Sequence, residues 1–72
     1  MKPKALMDFG KRVKEERLSL GLSQENLAET AGVHRTYIGM VERAEKNITL
    51  LNILKIARAL GIPVRDLVKD IQ

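Results

Sequence analysis

Arg35, Thr36, Gly39 and Met40 fall on one side of a short predicted helix, flanked by His34 and Tyr37. Arginine can clamp guanine O6 and N7 with two hydrogen bonds, and threonine offers a hydroxyl and a methyl that suits thymine. These residues stand at the start of the helix, the part that enters a major groove in helix-turn-helix readers. Ser23 and Gln24, at the start of the preceding helix, are placed to meet a phosphate through backbone N–H groups and side-chain donors. Arg43, Lys46 and Asn47 follow the reading helix, where further contacts to a nucleic-acid backbone are geometrically easy. Several of these residues have structural alternatives. Tyr37 could cover the edge of the core with its ring, Arg43 could pair with Glu42 or Glu45, and His34 could act as an N-cap. Glu42 reads as structural, bonded to Arg17 or Arg43.

Other chemistries find little support. The chain has no cysteine, which removes disulfides and thiolate metal ligands, and His34 alone cannot build a metal site. No cofactor is implied. No nucleophile–base pair and no glycine-rich phosphate loop is present, and Glu15 and Glu16 are adjacent, so they point in different directions around a helix. Phe9 and Tyr37 are too few to stack single-stranded bases, and an A-form RNA major groove does not admit such a helix. The first residues are basic without the apolar run of a signal peptide, and no stretch approaches a membrane span, so a cytoplasmic location is expected. Thirteen Lys and Arg against nine Asp and Glu give a net charge of +4, which suits a polyanionic partner without proving one.

The elements that must hold these residues are all helical. Apolar residues recur at helical spacing, and no segment alternates as a strand would. Five helices are expected, over about 6–20, 24–31, 35–43, 50–60 and 64–71, in a single all-α domain with a helix-turn-helix over about 23–43. Leu6, Phe9, Val13 and Leu20 form the apolar stripe of the first, which Gly21 ends. Ser23 caps the second, with Leu22 and Leu27 as a staple, and Thr49 caps the fourth, with Ile48 and Ile53 in the same roles. The turn is built from Ala28, Gly32, Val33 and Ile38. Ala28 permits close approach, Gly32 accepts a positive backbone angle, and Val33, Ile38 and Val41 fasten the third helix to the core. Leu50, Ile53, Leu54, Ala57 and Leu60 form the inward face of the fourth helix, and Pro63 opens the fifth. A chain of 72 residues buries a marginal core, so a partner subunit is the expected source of added stability. Ile53, Leu54, Val64, Leu67, Val68 and Ile71, within residues 50–71, are the expected homodimer surface; Leu67, Val68 and Ile71 could instead complete the core of one chain.

The run from Leu22 to Ala28, then Ala31 to Ile38 and Val41-Glu42-Arg43, resembles the lambda-repressor-like helix-turn-helix family. Within it, Arg-Thr-Tyr-Ile at 35–38 and Asn47-Ile48-Thr49 are most similar to the controller proteins of restriction–modification systems. The resemblance implies a homodimer, joined through its last two helices, on a double-stranded DNA operator with paired half-sites. Arg35 and Thr36 would read bases, Tyr37 and Asn47 would hold the backbone, and Lys46 would lie near a base or phosphate. It also implies autoregulation, activation or repression according to site occupancy, and RNA polymerase as a further partner. A phage-type repressor, or an antitoxin whose main task is to bind a protein, would share the fold. Three positions depart from the pattern. Ala44 stands where a helix-ending glycine is usual, which leaves the end of the third helix open. Lys46 replaces a common arginine, and Gly39 replaces a common serine. These departures bear on the base code.

Overall fold

The computed structural model describes residues 1–72 as five helices: α1 (Lys4–Ser19), α2 (Gln24–Ala31), α3 (Arg35–Glu42), α4 (Leu50–Leu60) and α5 (Val64–Leu67). Three of the five helices are capped at the N-terminus by a polar side chain, and the other two begin after proline. Ser23 Oγ accepts from the Asn26 N–H at 2.9 Å, and Asn26 Oδ1 accepts from the Ser23 N–H at 3.3 Å, so the capping box is closed by Asn rather than Glu or Gln. Thr49 Oγ1 accepts from the Asn52 N–H at 3.2 Å. His34 Nδ1 does the same for the Thr36 N–H at 3.1 Å.

Four helices stop in the same way, with a left-handed residue just past the last turn: Gly21, Gly32, Ala44 and Gly61. At the first, the Leu22 N–H reaches the Arg17 carbonyl at 3.1 Å and the Gly21 N–H reaches Leu18 at 3.0 Å, closing the last turn. Ala44 repeats the device at φ 59°, with the Glu45 N–H on the Met40 carbonyl at 2.8 Å. The departure at Ala44 therefore leaves the stop unchanged. It carries instead the cost of a side chain in left-handed backbone, about 1–2 kcal/mol.

α3 packs on α1 and α2, α2 also packs on α4, and α5 bridges α4 to α1. Phe9, Val13, Leu27, Ala28, Ala31, Ile38, Val41, Ile56, Ala57, Leu60 and Leu67 form the core. α1 and α3 approach closely at Gly10, where a Cβ would stand 2.4 Å from the Val41 carbonyl oxygen.

Several expectations are corrected. α1 begins at Lys4, after Pro3, and ends at Ser19, while α3 ends at Glu42. Leu20 is exposed, and Arg17 occupies the inward position one turn after Val13. On α4, Leu50 faces solvent, Ile53 and Leu54 are half-buried, and Ile56 is fully buried in the inward face. α5 stops at Leu67 instead of running to residue 71. Arg12 Nη1 donates to the Asp66 carbonyl at 2.6 Å, and the last helical bond is Val68 N–H to the Val64 carbonyl at 3.0 Å. Asp70 instead turns left-handed at φ 66°. Leu67 is sealed within its own chain at 0% exposure and cannot present a surface to a partner. Val64, Val68 and Ile71 are half-buried and pack against the core. No helix is long and apolar enough to cross a membrane.

Candidate nucleic-acid interface

The underside of α3 is fixed by apolar contacts and by one buried polar cluster. Ile38 and Val41 are enclosed at 0% and 2% exposure. At the far end, Arg17 Nε donates to Glu42 Oε2 at 2.7 Å and Nη2 donates to Oε1 at 3.1 Å. Gln24 Nε2 donates to the same Oε1 at 3.1 Å, and Arg17 Nη1 reaches the Leu22 carbonyl at 2.8 Å. One carboxylate thus ties α1, the start of α2 and the end of α3 together. The Arg17 and Glu42 side chains are 9% and 3% exposed, and no buried side-chain polar atom lacks a partner. The hydrogen bonds to Glu42 raise the guanidinium's proton affinity above the ordinary arginine value; burial opposes the rise and the carboxylate's charge adds to it. Of the two partners open to Glu42, Arg17 is the one it has. Arg43 pairs with Glu45, Nε to Oε1 at 3.1 Å.

The opposite side of α3 is open. Arg35 and Thr36 are exposed on the first turn, and Arg35 Nη1 donates to Glu25 Oε2 at 3.2 Å across the turn from α2. Gln24, Arg35, Thr36, Gly39 and Arg43 line a recess of about 350 Å³ with no apolar residue in it. Gly39 is not bare surface. It is buried, and a Cβ there would meet Arg43 Nη1 at 2.9 Å and Gln24 Oε1 at 3.5 Å, so it forms the floor of the recess beneath those two side chains. Gln24 is half-buried with its amide nitrogen engaged by Glu42. Its side chain positions α2 against α3, and what α2 offers an anion is chiefly its N-terminal N–H groups.

Tyr37 is half-buried beside the core, and its hydroxyl accepts from Asn52 Nδ2 at 3.0 Å. The ring thus covers the core edge while the hydroxyl keeps its proton to donate. Lys46 and Asn47 are exposed in the loop before Thr49. Lys2 Nζ donates to the Arg43 carbonyl, which places a further cation at the end of α3. Sequence reasoning missed three of these features: Asn52 beneath Tyr37, Lys2 beside Arg43, and an ion pair between Arg35 and Glu25. For Asn52 the signal lay in its place three residues after the cap Thr49. The other two join residues through space with no periodic spacing to reveal them.

Two short helices joined at a left-handed turn, the second held from below and bare at its first turn, define a DNA-binding helix-turn-helix protein. The chain belongs to the helix-turn-helix family HTH_3, whose pattern matches residues 13–67. Control protein C.BamHI of Bacillus amyloliquefaciens is 48% identical over 60 residues, covering 82% of this chain and 74% of that protein. Control protein C.SmaI of Serratia marcescens is 48% identical over 59 residues, covering 82% and 70% respectively. The crystal structure of the restriction-modification controller protein C.AhdI from Aeromonas hydrophila superposes with a TM-score of 0.88 at 49% identity, covering 90% of this chain and 98% of that one.

Proposed function

We propose that this protein is the controller of a restriction–modification system: a homodimeric regulator that binds paired operator half-sites, governs its own promoter and times endonuclease expression. The observation that carries the reading is the exposed first turn of α3, with Arg35 and Thr36 above a polar recess and the rest of the helix locked. In this reading Arg35 and Thr36 contact base edges and Lys46 reaches a base or phosphate. Gly39 shapes the surface beneath them. Tyr37, Arg43, Asn47 and the α2 N-terminus hold the phosphates, while Ser23, expected there too, spends its N–H and its hydroxyl proton on Asn26 Oδ1. The excess of positive charge supplies sequence-independent attraction.

The dimer reading rests on α4. Leu50 and Leu51 are 67% and 70% exposed, costly surface for a small chain unless a second copy covers it. Half-buried Leu54 lies one turn beyond Leu51, and Ile53, Val64, Val68 and Ile71 present partial edges nearby in sequence. A protomer measures 28 × 23 × 22 Å, so two abutting copies can set their reading helices about 34 Å apart, one turn of the duplex.

Selection of bound duplexes from random DNA at physiological salt tests the reading. Paired half-sites should emerge, and Arg35→Ala should cost about 1–3 kcal/mol while relaxing one base pair per half-site. A protein with no preference among duplexes, or an Arg35→Ala variant with full selectivity, refutes it. Leu51→Asp should yield monomers in sedimentation; a variant that remains dimeric removes α4 from the interface. Truncation before Leu67 would open the core and so reports on folding rather than association. A neighbouring endonuclease gene and methyltransferase gene would support the controller assignment.

A further inference from the structure

Glu25 stands on the first turn of α2, and its Oε2 accepts from Arg35 Nη1 at 3.2 Å, across the turn between the two helices. The two side chains are 68% and 67% exposed, so water screens the pair and its worth to folding is small. Its position gives it another use. The pair borders a concavity lined by Glu25, Ala28, Glu29, Val33, His34 and Arg35, on the side of the molecule where the first turn of α3 is open.

Arginine carries five N–H donors on a long stem with many rotamers. Reading guanine requires two of those donors in one plane, aimed at O6 and N7. Glu25 takes one N–H and leaves four, so it can restrain the guanidinium without using up the fork. Its charge has a second effect. Glu25 cancels much of the attraction between Arg35 and any nearby phosphate, and a carboxylate at that surface is repelled by the duplex. Docking then becomes favourable where the bases supply Arg35 with acceptors that repay the approach of Glu25, and unfavourable where they do not.

We propose that Glu25 is a positioning and specificity-determining residue, which holds the Arg35 guanidinium for base reading and disfavours binding to duplexes that lack its matching base pair. This rests on the assignment of Arg35 to a base edge. The chemistry is that of a selectivity filter: one carboxylate lowers affinity for all DNA and lowers it least for the right sequence.

The test uses the full chain and fluorescence anisotropy on three duplexes at about 150 mM salt. These are the sequence selected from the random pool, the same sequence with the base pair relaxed by Arg35→Ala replaced, and an unrelated duplex. Glu25→Gln keeps shape and removes charge. It should bind the unrelated duplex about threefold more tightly, while the ratio of selected to replaced duplex falls about fivefold. In an Arg35→Ala background, Glu25→Gln should leave that ratio unchanged. The proposal is overturned if Glu25→Gln shifts all three affinities by one common factor. An equal gain would mean plain charge repulsion, and an equal loss would mean a purely structural role. If Arg35→Ala alone keeps the wild-type ratio, the base-reading assignment falls, and this proposal with it.

Discussion

Replacing Gly10 with alanine sets two effects of known sign against each other. Gly10 sits inside α1, where alanine is normally better by about 1 kcal/mol. At this position the added Cβ would lie 2.4 Å from the Val41 carbonyl oxygen and 2.8 Å from that of Glu42. Reaching even 3.0 Å requires the last turn of α3 to retreat by roughly 0.6 Å, and ordinary contact requires about 1 Å. The obstacle is backbone, and that turn is pinned by Ile38, Val41 and the Arg17–Glu42 pair, so it has little room to yield. Overpacking of this kind costs about 1–3 kcal/mol, and a rigid obstacle favours the upper end. The net loss is then about 2 kcal/mol, which lowers the melting temperature of a domain this size by roughly 10 °C. Circular dichroism at 222 nm, at one protein concentration so that association does not shift the midpoint, reads it directly. A melting temperature equal to or above that of the parent would refute the claim that α1 and α3 meet backbone to backbone at Gly10.

Gly39→Ala should have the opposite sign. Its Cβ meets the mobile tip of Arg43 at 2.9 Å, which can swing aside, so urea denaturation should show a gain of about 0.5–1 kcal/mol. Arg17→Met leaves Glu42 buried and charged, and should cost about 3–5 kcal/mol, whereas Arg17→Met with Glu42→Leu should be more stable than the single variant. Because the fold raises Arg17's proton affinity, this contribution is complete below arginine's ordinary range and is lost only as pH climbs through the still higher folded value. Melting temperature should therefore show no slope from Arg17 between about pH 6 and 10. Tyr37→Phe should weaken operator binding about three- to tenfold at no more than about 1 kcal/mol in stability. The salt dependence should not change, since a neutral contact releases no counterion; Arg43→Ala should flatten that dependence.

What the sequence made legible followed from local rules. Ser23 and Thr49 announce helix starts because a short polar side chain satisfies orphan N–H groups there, and His34 does the same through its ring Nδ1. Gly21, Gly32 and Gly61 mark stops, and Ala28 with Gly32 places the turn. The misreadings came from interactions at a distance. Arg17 lies on the apolar stripe, and its burial depends on Glu42 meeting it from another helix. Leu20 falls on the apolar stripe only if the helix runs past Ser19, where α1 ends. The spacing of Val64, Leu67, Val68 and Ile71 fits a helix, but a helix this short has little cooperative support. Gly39 reads as an open position in sequence and becomes the floor of a recess only once Gln24 and Arg43 fold over it.

The Glu42 carboxylate and the buried Ile38 and Val41 hold α3 from its inward side. Mechanical support and molecular vocabulary are thereby kept on separate faces, so residues 35 and 36 can be exchanged without disturbing the frame. A library randomised at those two positions should yield folded molecules throughout, with altered operators among them, which makes the domain a chassis for retargeting by outward substitution alone.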